Sequence, residues 1–207
     1  MKTNCELALF SVLAVGLTAC SSEKATAEPP AQISESDQKA SKKPDTAAVT
    51  EMVIALDGEG LRFVDSKTGS TRLLAFGTDR TATETAIASQ LGALDGRSSS
   101  DECGAGPVDF SNFGDFIANF QDDRFVGWFL REGDKNKVLT TMSGIGIGTK
   151  RSEMVESVAF DIYDDSTIGT EFTTGGDDPG GFSGLLDSDA QDARITDLWA
   201  GTNCIFR

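Results

Sequence analysis

The 207-residue chain contains no histidine, a single tyrosine and only four cysteines. Without histidine there is no Ser-His or Cys-His couple, the usual means of activating a hydroxyl or thiol nucleophile. Cys5, Cys20, Cys103 and Cys204 have no CxxC spacing, which removes a zinc site or a redox motif of that type. Basic residues are scarce, 18 against 33 acidic, for a net charge of −15. About −14 of that falls on residues 51–207, so there is no basic face for nucleic acid or for lying flat on anionic lipid. No GxxxxGK[ST] phosphate loop is present, and "GIGIG" at 144–148 lacks the GxGxxG spacing. No cofactor is expected, and a non-enzymatic role is the expectation.

The N-terminus carries Lys2 and then an apolar stretch, Leu7 to Leu17, too short to span a bilayer as a stable helix. It reads as an export signal. The "LTAC" that closes it, residues 17–20, resembles the lipobox of bacterial lipoproteins. That resemblance implies a signal peptide over 1–19 and a lipidated Cys20 as the first mature residue. With serine and not aspartate after the cysteine, it also implies an outer-membrane anchor facing the periplasm. Residues 20–50 are rich in Ala, Ser, Glu, Lys and Pro and have almost no large apolar side chains. They read as a disordered tether, with a reach on the order of 30 Å.

With Cys5 in the signal and Cys20 at the anchor, Cys103 and Cys204 remain for one disulfide in an exported domain over 51–207. That domain opens with three apolar runs separated by "DGEG" and "SKTGS", which predict an N-terminal β-meander. A Gly-Thr corner at 77–78 then leads into a predicted helix through about residue 91. Thr78 or Thr81 is the candidate cap, Glu84 stands in the capping-box position, and Thr83, Ile87 and Leu91 lie on one face. The segment "LDGRSSSDECGAGPVDF", residues 94–110, reads as loop. Beyond it, apolar and polar residues alternate about the turn at Gln121 to Asp123. Phe110, Phe113, Phe116, Phe120, Phe125, Phe129 and Trp128 give this stretch an aromatic sheet face that packs on the helix.

The pattern recurs. Gly148-Thr149-Lys150-Arg151 follows a β-like stretch and aligns with Gly77-Thr78-Asp79-Arg80 at an offset of 71, and Trp128 and Trp199 have the same separation. Three further strands are predicted beyond the second helix. The fold expected is therefore α+β: an antiparallel sheet of two tandem helix-then-β-meander repeats, about 71–137 and 138–207, preceded by the N-terminal meander. Arg80 and Arg151 oppose the helix dipole in the first turn. Each is expected to pair with a carboxylate or carbonyl of the sheet.

The Gly-Thr-x-Arg corner before a short helix and a meander resembles the unit of the β-lactamase inhibitor protein and of the small lipoprotein of the outer-membrane β-barrel assembly machine. Duplication is a feature of the first and a lipid anchor of the second. The resemblance implies a binding role, not a catalytic one. This chain departs from both in having one helical element per unit and one cysteine in each.

Acidic loops, above all the one with Asp187, Asp189 and Asp192, invite a calcium reading, but none has EF-hand spacing. Two functions stay open. One is a lipid-anchored envelope protein that binds another protein through its sheet face or hairpin tips. The other is a small-ligand-binding protein or hydrolase using clustered carboxylates. For the first, the expected contact is the tip formed by Asp122, Asp123 and Arg124, with Trp128 nearby as an apolar anchor. "GGDDPGG" at 175–181 is a second acidic turn.

Overall fold

The computed structural model describes residues 51–136, 139–176, 178 and 180–206. The expected signal peptide, the tether and Cys20 lie outside these residues, as does Asp177. Strands β1 (Met52–Asp57), β2 (Gly60–Asp65) and β3 (Thr71–Ala75) form a three-stranded antiparallel sheet, the expected meander. Alternation drives it: Ile54 and Leu56 on β1, and Leu61 and Phe63 on β2, are buried.

Helix α1 (Arg80–Leu91) follows, then β4 (Gly96–Ser100), β5 (Val108–Phe113), β6 (Phe116–Gln121) and β7 (Arg124–Arg131). The second half holds α2 (Arg151–Ser157), β8 (Phe160–Ile162), β9 (Thr170–Thr174), β10 (Ser183–Leu186) and β11 (Ile195–Gly201). Strands β4 to β11 form one antiparallel sheet in the order β4-β5-β6-β7-β11-β10-β9-β8. With helices of only 12 and 7 residues, the described structure is largely β. It has mostly antiparallel sheets and two short helices.

One face of the large sheet carries the core. Phe113, Phe116, Phe120, Phe125 and Trp128 are all buried there with Ile87 of α1, Met154 of α2 and Leu61 of the small sheet. Each such side chain contributes about 1.5–3 kcal/mol on burial. Trp128 Nε1 donates to the Asp57 carbonyl oxygen at 2.9 Å, joining the two sheets.

The two Gly-Thr corners make matching contacts. Gly77 N–H donates to Phe125 O (2.6 Å), Phe125 N–H to Thr78 O (2.8 Å) and Arg80 N–H to Asp123 O (2.9 Å). At the second corner Gly148 donates to Ile195 O (2.8 Å), Ile195 to Thr149 O (3.0 Å) and Arg151 to Ala193 O (2.8 Å). Gly77 and Gly148 have φ of 90° and 84°, where a Cβ is disfavoured. Arg80 meets the sequence expectation, pairing with the carboxylates of Asp109 on β5 and of Asp123. Arg151 does not reach the sheet; its Nη1 donates to the Asp189 carbonyl oxygen, in the loop between β10 and β11, at 2.7 Å.

Several local expectations need correction. The α1 cap is Asp79, whose side chain accepts from the N–H groups of Thr81 and Ala82, while Thr78 Oγ1 bonds back to Ala75 O. Residues 96–100, expected as loop, form edge strand β4. Apolar alternation is missing from "GRSSS", and pairing with β5 alone makes the strand. β8 was likewise not expected. Among the described residues no strand leads into the second corner, where Thr141 makes an isolated parallel bridge to Leu56 and Thr140 an isolated antiparallel bridge to Gly146.

The shared tryptophan offset also fails. In both the β6–β7 and β10–β11 hairpins a bulge lies at the same place. Phe120 faces Phe125 and Asn119 faces Gly127, skipping Val126; Leu186 faces Ile195 and Leu185 faces Asp197, skipping Thr196. Trp199 therefore corresponds to Phe129, directly opposite it on the neighbouring strand. Trp128 lies on the other face.

Candidate functional site

The tip between β6 and β7 is a two-residue turn of type I′ geometry. Asp122 and Asp123 have φ of 48° and 57°, the only non-glycine positive values among the described residues. Arg80 holds the turn from below. Its Nη2 is bonded to Asp109 Oδ2, its Nε lies 3.0 Å from Asp123 Oδ1 as an ion pair without hydrogen-bond alignment, and its guanidinium stacks 4.8 Å over the Phe120 ring. Gln121 Nε2 donates to the carbonyl oxygens of Ala105 and Pro107 at 2.9 and 3.1 Å. These bonds tie the tip to the loop that carries Cys103. A shallow cavity of about 580 Å³ between loop and tip is lined by Asp109, Asp122 and Asp123.

Asp122, Asp123 and Arg124 are thus adjacent and exposed, as the sequence predicts. Trp128 does not join them. It is wholly buried on the core face and takes no part in a surface contact. The bulge at Val126 is the reason: strict alternation from Phe125 would turn Trp128 outward, and one extra residue turns it inward. Asp187, Asp189 and Asp192 serve the loop before β11, where Asp187 Oδ1 accepts the Arg194 N–H at 3.0 Å. Among the described residues no three His, Cys, Asp or Glu side chains are grouped to hold a metal.

Hydrogen bonds shift the proton affinity of two carboxyls elsewhere, Glu84 and Asp95. Glu84 Oε1 and Oε2 accept from Arg97 at 2.9 and 2.6 Å, and Oε1 also accepts from Ser111 Oγ at 2.6 Å. The Arg97 hydrogen bonds, aided by Ser111, hold the Glu84 carboxyl below the ordinary glutamate value against the opposing effect of burial. Asp95 is also lowered, first by the Gly114 N–H and then by Lys135.

The second feature is the sheet face turned away from the helices. Phe129 and Trp199 stack there at 5.9 Å with planes 8° apart. The disulfide expected from the sequence is formed: Cys103 and Cys204 are bonded, with Cα atoms 5.0 Å apart. It fixes the C-terminal segment across this face. Thr202 N–H donates to Val126 O at 2.8 Å, and Asn119 Nδ2 donates to Thr202 O and Asn203 Oδ1 at 2.9 and 2.7 Å. Sequence reasoning missed this crossing. Its one signal is Gly127 on β7, where a Cβ would stand 2.2 Å from the Thr202 carbonyl oxygen.

No family model, curated protein or solved structure matches the chain.

Proposed function

We propose that the protein is a lipid-anchored, non-enzymatic component of the cell envelope that binds another protein through the β6–β7 tip. The carrying observation is the turn itself. Two adjacent aspartates occupy left-handed conformations, which Asp tolerates better than most residues, and the turn is braced by Arg80 and the 105–107 segment. Exposed and braced residues are pre-organised for contact. The "LTAC" segment supports anchoring at Cys20 to the periplasmic side of an outer membrane, with residues 21–50 as the spacer.

The same reading includes a tandem architecture like that of the β-lactamase inhibitor and assembly-lipoprotein units. Equivalent corner hydrogen bonds, equivalent bulges and a sheet order that mirrors about the β7–β11 pair all support two related units. The carboxylate-hydrolase alternative has less support, because Asp109 and Asp123 share one arginine and face no second carboxylate pair across a deep cleft.

Asparagine tolerates left-handed backbone, so Asp122→Asn with Asp123→Asn removes the charge and keeps the turn. Recovery of the crosslinked envelope partner is expected to fall about tenfold, the equivalent of 1.4 kcal/mol. Unchanged recovery at unchanged thermal stability removes the tip from the interface.

A further inference from the structure

Among the described residues the two sheets end in four strand edges, and three of these are guarded. β3 opens with the exposed Thr71 and Arg72, β4 reads "GRSSS" without an apolar side chain, and β8 is three residues long with Asp161 exposed. Short length and charge are the usual protections against strand addition. β1 has neither: from Met52 to Leu56 every residue is apolar, with no charge, proline or bulge among them. Two hydrogen bonds fix its backbone direction. Ser66 N–H donates to Glu51 O at 2.9 Å, so Glu51, Val53 and Ala55 turn their N–H and C=O groups to β2, while Leu56 N–H donates away from β2, to Thr140 O at 2.8 Å. Met52 and Ile54 therefore point theirs outward as well, and among the described residues neither has a hydrogen-bond partner on that side. Thr140 and Thr141 cover the edge only at Leu56. Beside the open part lies a cavity of about 480 Å³ lined by Met52, Ile54, Leu91, Leu139 and Met142. Val53 is 48 % exposed and Met142 58 %.

We propose that this edge pairs with the same edge of a second copy of the chain, antiparallel about Val53, and joins the two small sheets into one. In that register Met52 of each copy faces Ile54 of the other and the two exchange N–H and C=O bonds, so every outward backbone group of the open stretch is satisfied. The two Val53 side chains, exposed in a single copy, face each other as a non-hydrogen-bonded pair with Cβ atoms about 5 Å apart. Length and charge both point to the chain itself as the occupant. The first blocked position, Leu56, faces residue 50 of the second copy, which lies before β1 begins, so the open stretch and its own image match. A longer foreign strand would run into Thr140 and Thr141. Like charges stay apart, since Glu51 faces Ala55 and Asp57 is taken by Arg62 at 2.6 Å. The net charge of −15 on each copy opposes the contact at long range. The pairing is therefore weak at low ionic strength and strengthens as salt screens the repulsion.

The test uses the purified full chain carrying Cys5→Ser and Cys20→Ser, which leaves no free thiol, and adds Val53→Cys. Facing Cα atoms about 4.5 Å apart at a non-hydrogen-bonded pair suit a disulfide. Under mild oxidation, non-reducing electrophoresis is expected to show a covalent dimer at about ten times the yield of Thr71→Cys on the guarded edge. That yield should rise as sodium chloride is raised from about 0.01 to about 0.15 M. Adding Met52→Pro removes an outward N–H and no bond to β2. It should cut the yield about tenfold at unchanged melting temperature. Val53→Asp is the second readout if the proline disturbs the fold: its two carboxylates would face each other, so it is expected to sediment as a monomer at concentrations where the unsubstituted edge gives dimer. A Val53→Cys yield no higher than that of Thr71→Cys overturns the proposal and leaves the edge to a strand of another protein. Equal sedimentation with and without Val53→Asp overturns it too, as does a yield that a folded Met52→Pro chain leaves unchanged. None of these variants touches the β6–β7 tip, so the hairpin-tip reading stands or falls separately.

Discussion

Glu84 has the spacing of a capping-box residue behind Thr81, yet it caps nothing. Its carboxylate turns to the sheet, where Arg97 on edge strand β4 and Ser111 on β5 supply its hydrogen bonds. Since the folded protein holds this carboxyl below its ordinary value, the unfolded chain binds the proton more readily. The stabilisation is complete above the unfolded value and is lost as pH falls through the folded one. Glu84→Gln should therefore reduce stability at neutral pH by about 1.5–3 kcal/mol, the range for a charged hydrogen bond. It should also flatten the fall in melting temperature on acidification below the ordinary glutamate range. A variant with the same acid slope as the wild type would show that the Arg97 contact does not shift this carboxyl. The contact was not legible in the sequence, because nothing in "GRSSS" marks a strand that would bring Arg97 under the helix. Trp128 was misread for a related reason: one bulged residue reverses the face of every side chain that follows it.

At the scale of elements, features with strong local signals were readable. The first meander, the turn at residues 122–123 and the first corner combine apolar alternation with a glycine or Asp-rich turn, so local chemistry decides them; the second corner keeps its Gly-Thr turn without the strand expected before it. Strands β4 and β8 carry no such signal, and partner strands alone order them. The helix caps show the same division. Asp79 satisfies two first-turn N–H groups of α1, whereas at α2 only the Glu153 side chain reaches back, accepting from the Lys150 N–H at 3.1 Å. Asp79→Ala should thus cost about 1 kcal/mol, seen as a lower urea midpoint at unchanged slope. Because the Arg80 N–H remains bonded to Asp123 O, the tip should keep its conformation. Hydrogen exchange is expected to quicken at Thr81 and Ala82 but not at Phe125. Faster exchange at Phe125 would mean that cap and tip open together.

For the whole molecule the governing quantity is charge. Residues 51–207 carry about −14, and five ion pairs are found among the described residues, most with at least one exposed partner. Exposed pairs contribute about 0–1 kcal/mol each, and salt weakens them. Repulsion among the excess carboxylates acts over longer distances, so it is screened more completely once the Debye length shrinks from about 30 Å at 0.01 M to about 8 Å at 0.15 M. The two effects oppose each other. Repulsion should win, because the 33 acidic residues far outnumber the 18 basic ones and the compact state brings them closer together than the unfolded chain does. Raising sodium chloride over that range is therefore expected to increase the melting temperature by a few degrees, corresponding to about 1 kcal/mol for a domain of this size. Arg97→Gln, which deletes an attractive pair, should leave a larger salt increment than the wild type shows. A melting temperature that falls with salt would mean that the five pairs outweigh the net charge.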